Sequence, residues 1–307
     1  SIYFTVTDTN TVTNTEGIEF ADGAIGSSVQ NDTTYVSGSV IQYSVFEYFY
    51  GHAINLNTSI LIAKSSFRNN STLNGAIEVG NDGLILYKNI LTSNTTSGNG
   101  AAVNISIPNE GASGDIKLLN CIFTNNQSQD GGAFCASGYN IGKVVIYKSQ
   151  FEENIALGSG GACFVRQNGG GSVNQLSVSN SVFRFNQSGT NGGAFYSGYN
   201  YFENYFNYCL FSSNNSGNKG GAIYNEFGAT GSPPTWDHAI KIENSTFHLN
   251  IASSVGAVLS HYGYNSISFA ENSIFNNSII SYLCEDCDNI GDGYLIDAHE
   301  ILMNSSY

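Results

Sequence analysis

Two short motifs recur along this chain in step with each other, and their pairing limits the possible folds more than any other feature. An aromatic followed three residues later by Asn appears at Phe67/Asn70, Phe123/Asn126, Phe151/Asn154, Phe183/Asn186, Phe211/Asn214 and Phe247/Asn250. Leu91/Asn94 is a degenerate copy, and Phe46 and Phe275 hold the aromatic position without the Asn. A Gly-Gly-Ala-apolar segment occurs at Gly131–Phe134, Gly160–Cys163, Gly192–Phe195 and Gly220–Ile223, with weaker copies at Asn74–Ile77, Asn99–Ala102 and Val255–Val258. From Phe67 onward, the motif Ala follows its aromatic by 9 to 11 residues, while successive aromatics lie 21 to 36 residues apart. A nearly constant offset between two motifs over so many copies marks a structural repeat.

The repeat unit is β-rich. Runs such as Lys143–Tyr147, Gln175–Val178 and Ala239–Ile242 alternate with period two, and Gly and Asn clusters separate them. No helical period is sustained, which excludes helical repeats, and the unit is too short for a propeller blade of about 40–50 residues. Coils of this length with about three short strands each predict an all-β, single-domain parallel β-helix of about nine or ten coils. In that fold like residues of successive coils stack at about 4.8 Å, giving a rod roughly 45–50 Å tall. Phe over Phe then forms an apolar ladder, and Asn over Asn can bond amide to amide at turns where Asn tolerates left-handed backbone. The Gly pair supplies positive φ at a corner, and Ala fits where the cylinder is narrow.

The expected organisation is irregular N-terminal coils over 1–42, regular coils over 43–280 and an irregular C-terminal coil over 281–307. A loop at 228–238 leaves the cylinder, carrying two of the three prolines and the single Trp, Trp236. Trp236 is either exposed for binding or folded back on the rod. Ten basic against 24 acidic residues give a net charge of −14, which argues against nucleic acid and anionic membrane as partners. No apolar run is long enough for a helical membrane span, so direct membrane insertion is not expected. The opening residues SIYFTVTDTN read as a strand-like mature terminus rather than a signal peptide.

The two motifs together resemble the repeats of the chlamydial-type polymorphic outer membrane proteins, secreted autotransporter adhesins whose passenger is a right-handed parallel β-helix. Related repeats occur on eukaryotic cell surfaces. The resemblance spans about residues 43–280 and implies fold, extracellular or cell-surface placement and an adhesive or scaffolding role. It does not extend to an amphipathic C-terminal barrel, so autotransport by this chain is not expected.

The natural enzyme alternative is a carbohydrate-active β-helix of the pectinase kind, which needs carboxylates converging on one face. The acidic residues recur in no column, and His52, His238, His248, His261 and His299 are isolated from one another. No catalytic residue is assigned, and no metal or cofactor is expected. The acidic stretch Asp286, Asp288 and Asp292 fails the EF-hand pattern, because Ile290 and His299 fall on ligand positions; it reads as a solvated loop, with calcium as the minor alternative.

Six cysteines are present: Cys121, Cys135, Cys163, Cys209, Cys284 and Cys287. Cys284 and Cys287 are read as a disulfide pinning the C-terminal loop. Cys135 and Cys163, in neighbouring coils, are either bridged or simply small buried side chains. Cys121 and Cys209 share a column but lie three coils apart, too far to bond. Of twelve Asn-x-Ser/Thr sequons, five coincide with the ladder Asn. The glycosylation candidates outside it are Asn31, Asn57, Asn104, Asn244, Asn276 and Asn304. Gly-Tyr-Asn recurs at Gly138–Asn140, Gly198–Asn200 and Gly263–Asn265, where Tyr either packs on the rod or offers a stacking surface.

Alignment of Asn304–Tyr307 with Asn244–Phe247 puts Tyr307 in the aromatic column. The chain is therefore either a piece of a longer array or a subunit stacked end to end on copies of itself through Ser1, Ile2, Tyr3, Phe4 and Tyr307. Surface glycans or proteins are the other expected partners.

Overall fold

The computed structural model describes residues 2–5, 17–21, 24–30, 34–80, 83–107, 114–139, 141–167, 175–198, 204–226, 240–254, 256–262, 268–271, 273–276 and 302–304. One strand pair is antiparallel, Ser28–Gln30 with Thr34–Ser37. Every other described strand pairs in parallel with its counterparts in neighbouring coils, a parallel β-helix.

A regular coil contributes four strands, as in Val144–Tyr147, Gln150–Glu152, Ile155–Ala156 and Cys163–Gln167. We call the faces they build the leading, aromatic, narrow and glycine faces; their sheets hold nine, eleven, seven and nine strands respectively. Sequence patterning anticipates about three strands per coil. The narrow-face strand is the one it misses, because two residues are too few to display alternation. Eleven rungs at the strand spacing make the aromatic face about 48 Å long.

Local geometry explains the constancy of the repeat. In every regular coil the leading strand starts seven residues before the aromatic position, as from Leu84 to Leu91, Val144 to Phe151 and Ile240 to Phe247. Two left-handed residues bracket the aromatic strand. All sixteen described non-glycine residues with positive φ lie either three before the aromatic (Tyr43, Lys64, Lys88, Asn120, Lys148, Asn180, Tyr208, Asn244) or two after it (Tyr48, Asn69, Ser93, Asn125, Glu153, Phe185, Ser213, Leu249). The ladder Asn is thus not itself left-handed, as the sequence had suggested; its neighbour makes the corner. Length variation concentrates between the glycine and leading faces.

The interior is columnar. Phe4, Phe46 and Phe67 stack at 4.7 Å between centroids, and Phe123, Phe151, Phe183, Phe211 and Phe247 at 4.6 to 4.9 Å. Leu91 interrupts the rings but keeps the column, in register with Phe67 and Phe123. Beside it runs an amide ladder. Asn70, Asn94, Asn126, Asn154, Asn186 and Asn214 each donate from Nδ2 to the Oδ1 of the next Asn above, at 2.8 to 3.0 Å, ending on Asn250. The second proton of each Nδ2 goes to the carbonyl of an aromatic-column residue below, as from Asn154 to Phe123 at 3.0 Å. Each Oδ1 also accepts a backbone N–H, as Asn154 does from Asn126. The amide is buried yet fully bonded, which removes the penalty of burying it.

Three registers differ from the sequence alignment. In two weak glycine copies the inward position falls one residue later, on Ala102 rather than Ala101 and on Val258 rather than Ala257, because Ala76 aligns with Ala102 and Ile223 with Leu259. At the far end Met303, not Tyr307, stands opposite Phe275; Tyr307 itself lies outside the described residues. At the near end Ile2–Thr5 pairs with Ser44–Glu47, so the first rung is supplied from within the stretch expected to be irregular.

Candidate functional site

With the interior taken up by ladders, chemistry open to a partner resides on the outer columns. On the aromatic face, ion pairs join neighbouring coils: Arg68 to Glu47 at 2.7 Å and Arg184 to Glu152 at 3.2 Å. On the leading face Lys117 lies 3.8 Å from Asp115, and Lys241 pairs with Glu243.

The corner between leading and aromatic faces differs. Lys64, Lys88 and Lys148 all occupy the left-handed column three before the aromatic, with φ of 51°, 55° and 51°. All three are exposed. Each ammonium sits over a tyrosine ring: Lys64 over Tyr43 at 5.0 Å, Lys88 over Tyr87 at 5.1 Å and Lys148 over Tyr147 at 5.1 Å. Lys64 also donates to the Tyr43 hydroxyl at 2.8 Å, which raises its pKa and keeps it protonated. Among the described residues none of the three ammoniums has a carboxylate partner. Tyr208, 59% exposed, and Asn120, Asn180 and Asn244 fill further rungs of the column. Sequence reasoning passed over this row, although spacing from the aromatic would have revealed it.

Outside the glycine face, Cys135, Phe164, Tyr196 and Tyr224 form a small buried cluster. Phe164 stacks on Tyr196 at 4.5 Å, and the Tyr196 hydroxyl bonds to Glu226. The Cys135–Cys163 bridge does not form. Cys135 aligns with Phe164, and Cys163 with Phe134, so the two side chains are one residue out of register and face opposite sides of the sheet. Cys163 belongs to the interior, and both are free, as are Cys121 and Cys209. Cys121 and Cys209 sit in a column two before the aromatic otherwise held by residues such as Ser149 and Ser181; Sγ of Cys121 bonds to the carbonyl of Leu119.

The other candidates divide as follows. Asn104 is buried outside the glycine face, next in register to Cys135, and is not an accessible glycan acceptor. Asn57 is half-buried, and Asn244 donates to Asn207 at 3.0 Å. Asn276 and Asn304 lie on described strands of the aromatic face, their side chains outside the described set. Asn31, Ser1, Trp236 and the loop 228–238, the Cys284/Cys287 pair and the acidic stretch Asp286, Asp288 and Asp292 lie outside the described residues. Ile2 and Tyr3 are 63% and 61% exposed, and Phe4 packs partly on the core. Tyr139 is 40% exposed. Among the described residues no three His, Cys, Asp or Glu side chains come together, and no helix is long and apolar enough to cross a membrane.

The Chlamydia polymorphic membrane protein repeat model matches this chain at residues 120–137 and 208–226. Both segments start at the left-handed corner, cross the aromatic and narrow faces and end in the glycine-face strand. The chain thus carries repeats of that type. No curated protein and no solved structure matches it.

Proposed function

We propose that this chain, bearing polymorphic membrane protein repeats on a parallel β-helix, is a cell-surface or extracellular adhesive or scaffolding protein and not an enzyme. The observation that carries the reading is the division of labour within each coil. Recurring residues fill the interior Phe, Asn and Ala columns, whereas the outer columns differ from rung to rung, as a rod that displays contacts requires. Four described carboxylates that could serve a hydrolase or lyase are instead taken up across coils, Glu47 and Glu152 by Arg, Glu226 and Glu243 by Tyr.

The reading extends to end-to-end association. The strand Ile2–Thr5 has a free outer edge among the described residues, with Ile2 and Tyr3 exposed and Phe4 showing one ring face. A second copy docking there would continue the sheet and the aromatic column in an open, heterologous contact.

Antibody raised to the purified chain should label intact, unpermeabilised cells of the source organism, and beads coated with the chain should adhere to partner cells. Labelling only after permeabilisation, or turnover of an acidic polysaccharide by the pure protein, overturns the reading. Negative-stain images should show rods longer than one chain that shorten on Ile2→Lys substitution; a uniform population of single rods at high concentration removes the association.

A further inference from the structure

We propose that the corner between the leading and aromatic faces is a track for a linear anionic polysaccharide, gripped by Lys64, Lys88 and Lys148. The inference rests on the surface reading above and names its partner class. Its first support is charge. On a chain with 24 acidic and ten basic residues, a cation left without an acid is the unexpected outcome. Arg68, Arg184, Lys117 and Lys241 each have a carboxylate, yet these three lysines have none among the described residues. A tyrosine ring holds each ammonium in place without neutralising it.

The second support is alignment. The three lysines lie on one line parallel to the rod axis, because each stands three residues before its column aromatic. Lys64 and Lys88 are on adjacent rungs and Lys148 is two rungs further, so the cations are about 5 and 10 Å apart along the axis. A stiff polymer with acid groups recurring along its length matches such a row; a compact anion meets only one member of it.

The third support distinguishes a glycan from an acidic peptide. The corner offers no backbone edge: the N–H groups of Lys64, Lys88, Asn120, Lys148, Asn180 and Tyr208 all bond to carbonyls of the next coil. A peptide cannot add as a strand there. What remains is side-chain recognition by ammonium, amide and phenol groups, from Asn120, Asn180 and Tyr208 in the same column. That set suits a chain of hydroxyls and acids.

The test measures binding of the purified chain to immobilised heparin, polygalacturonate, dextran and poly-glutamate. Binding to heparin or polygalacturonate, weakened by added salt and absent on dextran and poly-glutamate, is the expected result. Lys64→Gln/Lys88→Gln/Lys148→Gln should bind about tenfold more weakly, as loss of three exposed ion pairs implies. Arg68→Gln/Arg184→Gln/Lys117→Gln, with the same change in net charge, should stay within about twofold of the parent. Equal losses in the two triple variants, equal binding to poly-glutamate, or no binding to either acidic polysaccharide overturns the track. Circular dichroism of each variant establishes that the fold is kept. A chain that labels cell surfaces but ignores both polysaccharides loses only this inference; one that binds them through the corner but is confined inside cells loses only the surface reading.

Discussion

At the scale of single residues, the amide ladder is the most demanding device in the molecule. Asn154 uses both protons and both lone-pair sites within the stack. Asn154→Ala leaves Nδ2 and the backbone N–H of Asn126, and the Phe123 carbonyl, buried without those partners. At 1–3 kcal/mol per orphaned group, the expected loss is about 3 kcal/mol or more, read from denaturant unfolding; a loss under about 1 kcal/mol contradicts the ladder. Leu249 makes the opposite case. It is 44% exposed and held at φ 52°, a conformation that costs a branched side chain about 1–2 kcal/mol. Leu249→Asn should therefore raise stability by roughly 0.5–1 kcal/mol. The Phe and Asn columns were legible in the sequence because each stacked rung demands the same side chain. The left-handed corners were not, because Asn holds only five of the sixteen and Tyr, Lys, Ser, Glu, Phe and Leu share the rest, with backbone hydrogen bonds to the next coil imposing the conformation. The lysine row was hidden with them.

At the scale of the strand and corner, glycine and burial set the limits. Gly160 has φ +68°, and a Cβ there would lie 2.2 Å from the Cys163 carbonyl oxygen. Gly160→Ala should lower the thermal midpoint sharply, whereas Gly158→Ala meets chiefly the Asp130 carboxylate and the Gln129 carbonyl and should cost less. The thiols make a pH test. Burial pushes Cys121, Cys135 and Cys209 up to about 12, and Cys163 well above its ordinary value. The folded state then holds protons that the unfolded chain releases from its ordinary thiol pKa upward. Stability is thus unaffected by these groups at neutral pH and falls between about pH 9 and 12. A Cys284→Ser/Cys287→Ser variant should resist a thiol reagent at pH 8 until it is unfolded; labelling of the folded chain contradicts the burial. What the sequence did not disclose at this scale was register. Cys135 and Cys163 follow the glycine motif at offsets differing by one, and one residue is enough to turn a strand side chain from one face to the other.

For the whole molecule, the repeat alone was enough to set the architecture, since coils of this length and pattern have few ways to bury their apolar residues. It was not enough to place the ends. Phe4 was read as an end contact and not as a rung of the aromatic column, because a long first winding separates it from Phe46, and Tyr307 was aligned by local similarity while the register selects Met303. Partner chemistry was the least legible level. It resides in outward columns that no packing rule constrains, so the lysine row emerges only once the coils are superposed.

Vertical register of successive coils is the central claim, and a cysteine cross-link reads it most directly. Thr92 and Thr124 stand opposite each other on adjacent rungs, with their hydroxyls 2.9 Å apart. Thr92→Cys/Thr124→Cys should close to a disulfide under mild oxidation, while Thr92→Cys/Glu152→Cys, two rungs or about 10 Å apart, should stay reduced. An open first pair with a closed second would contradict the stacked rod.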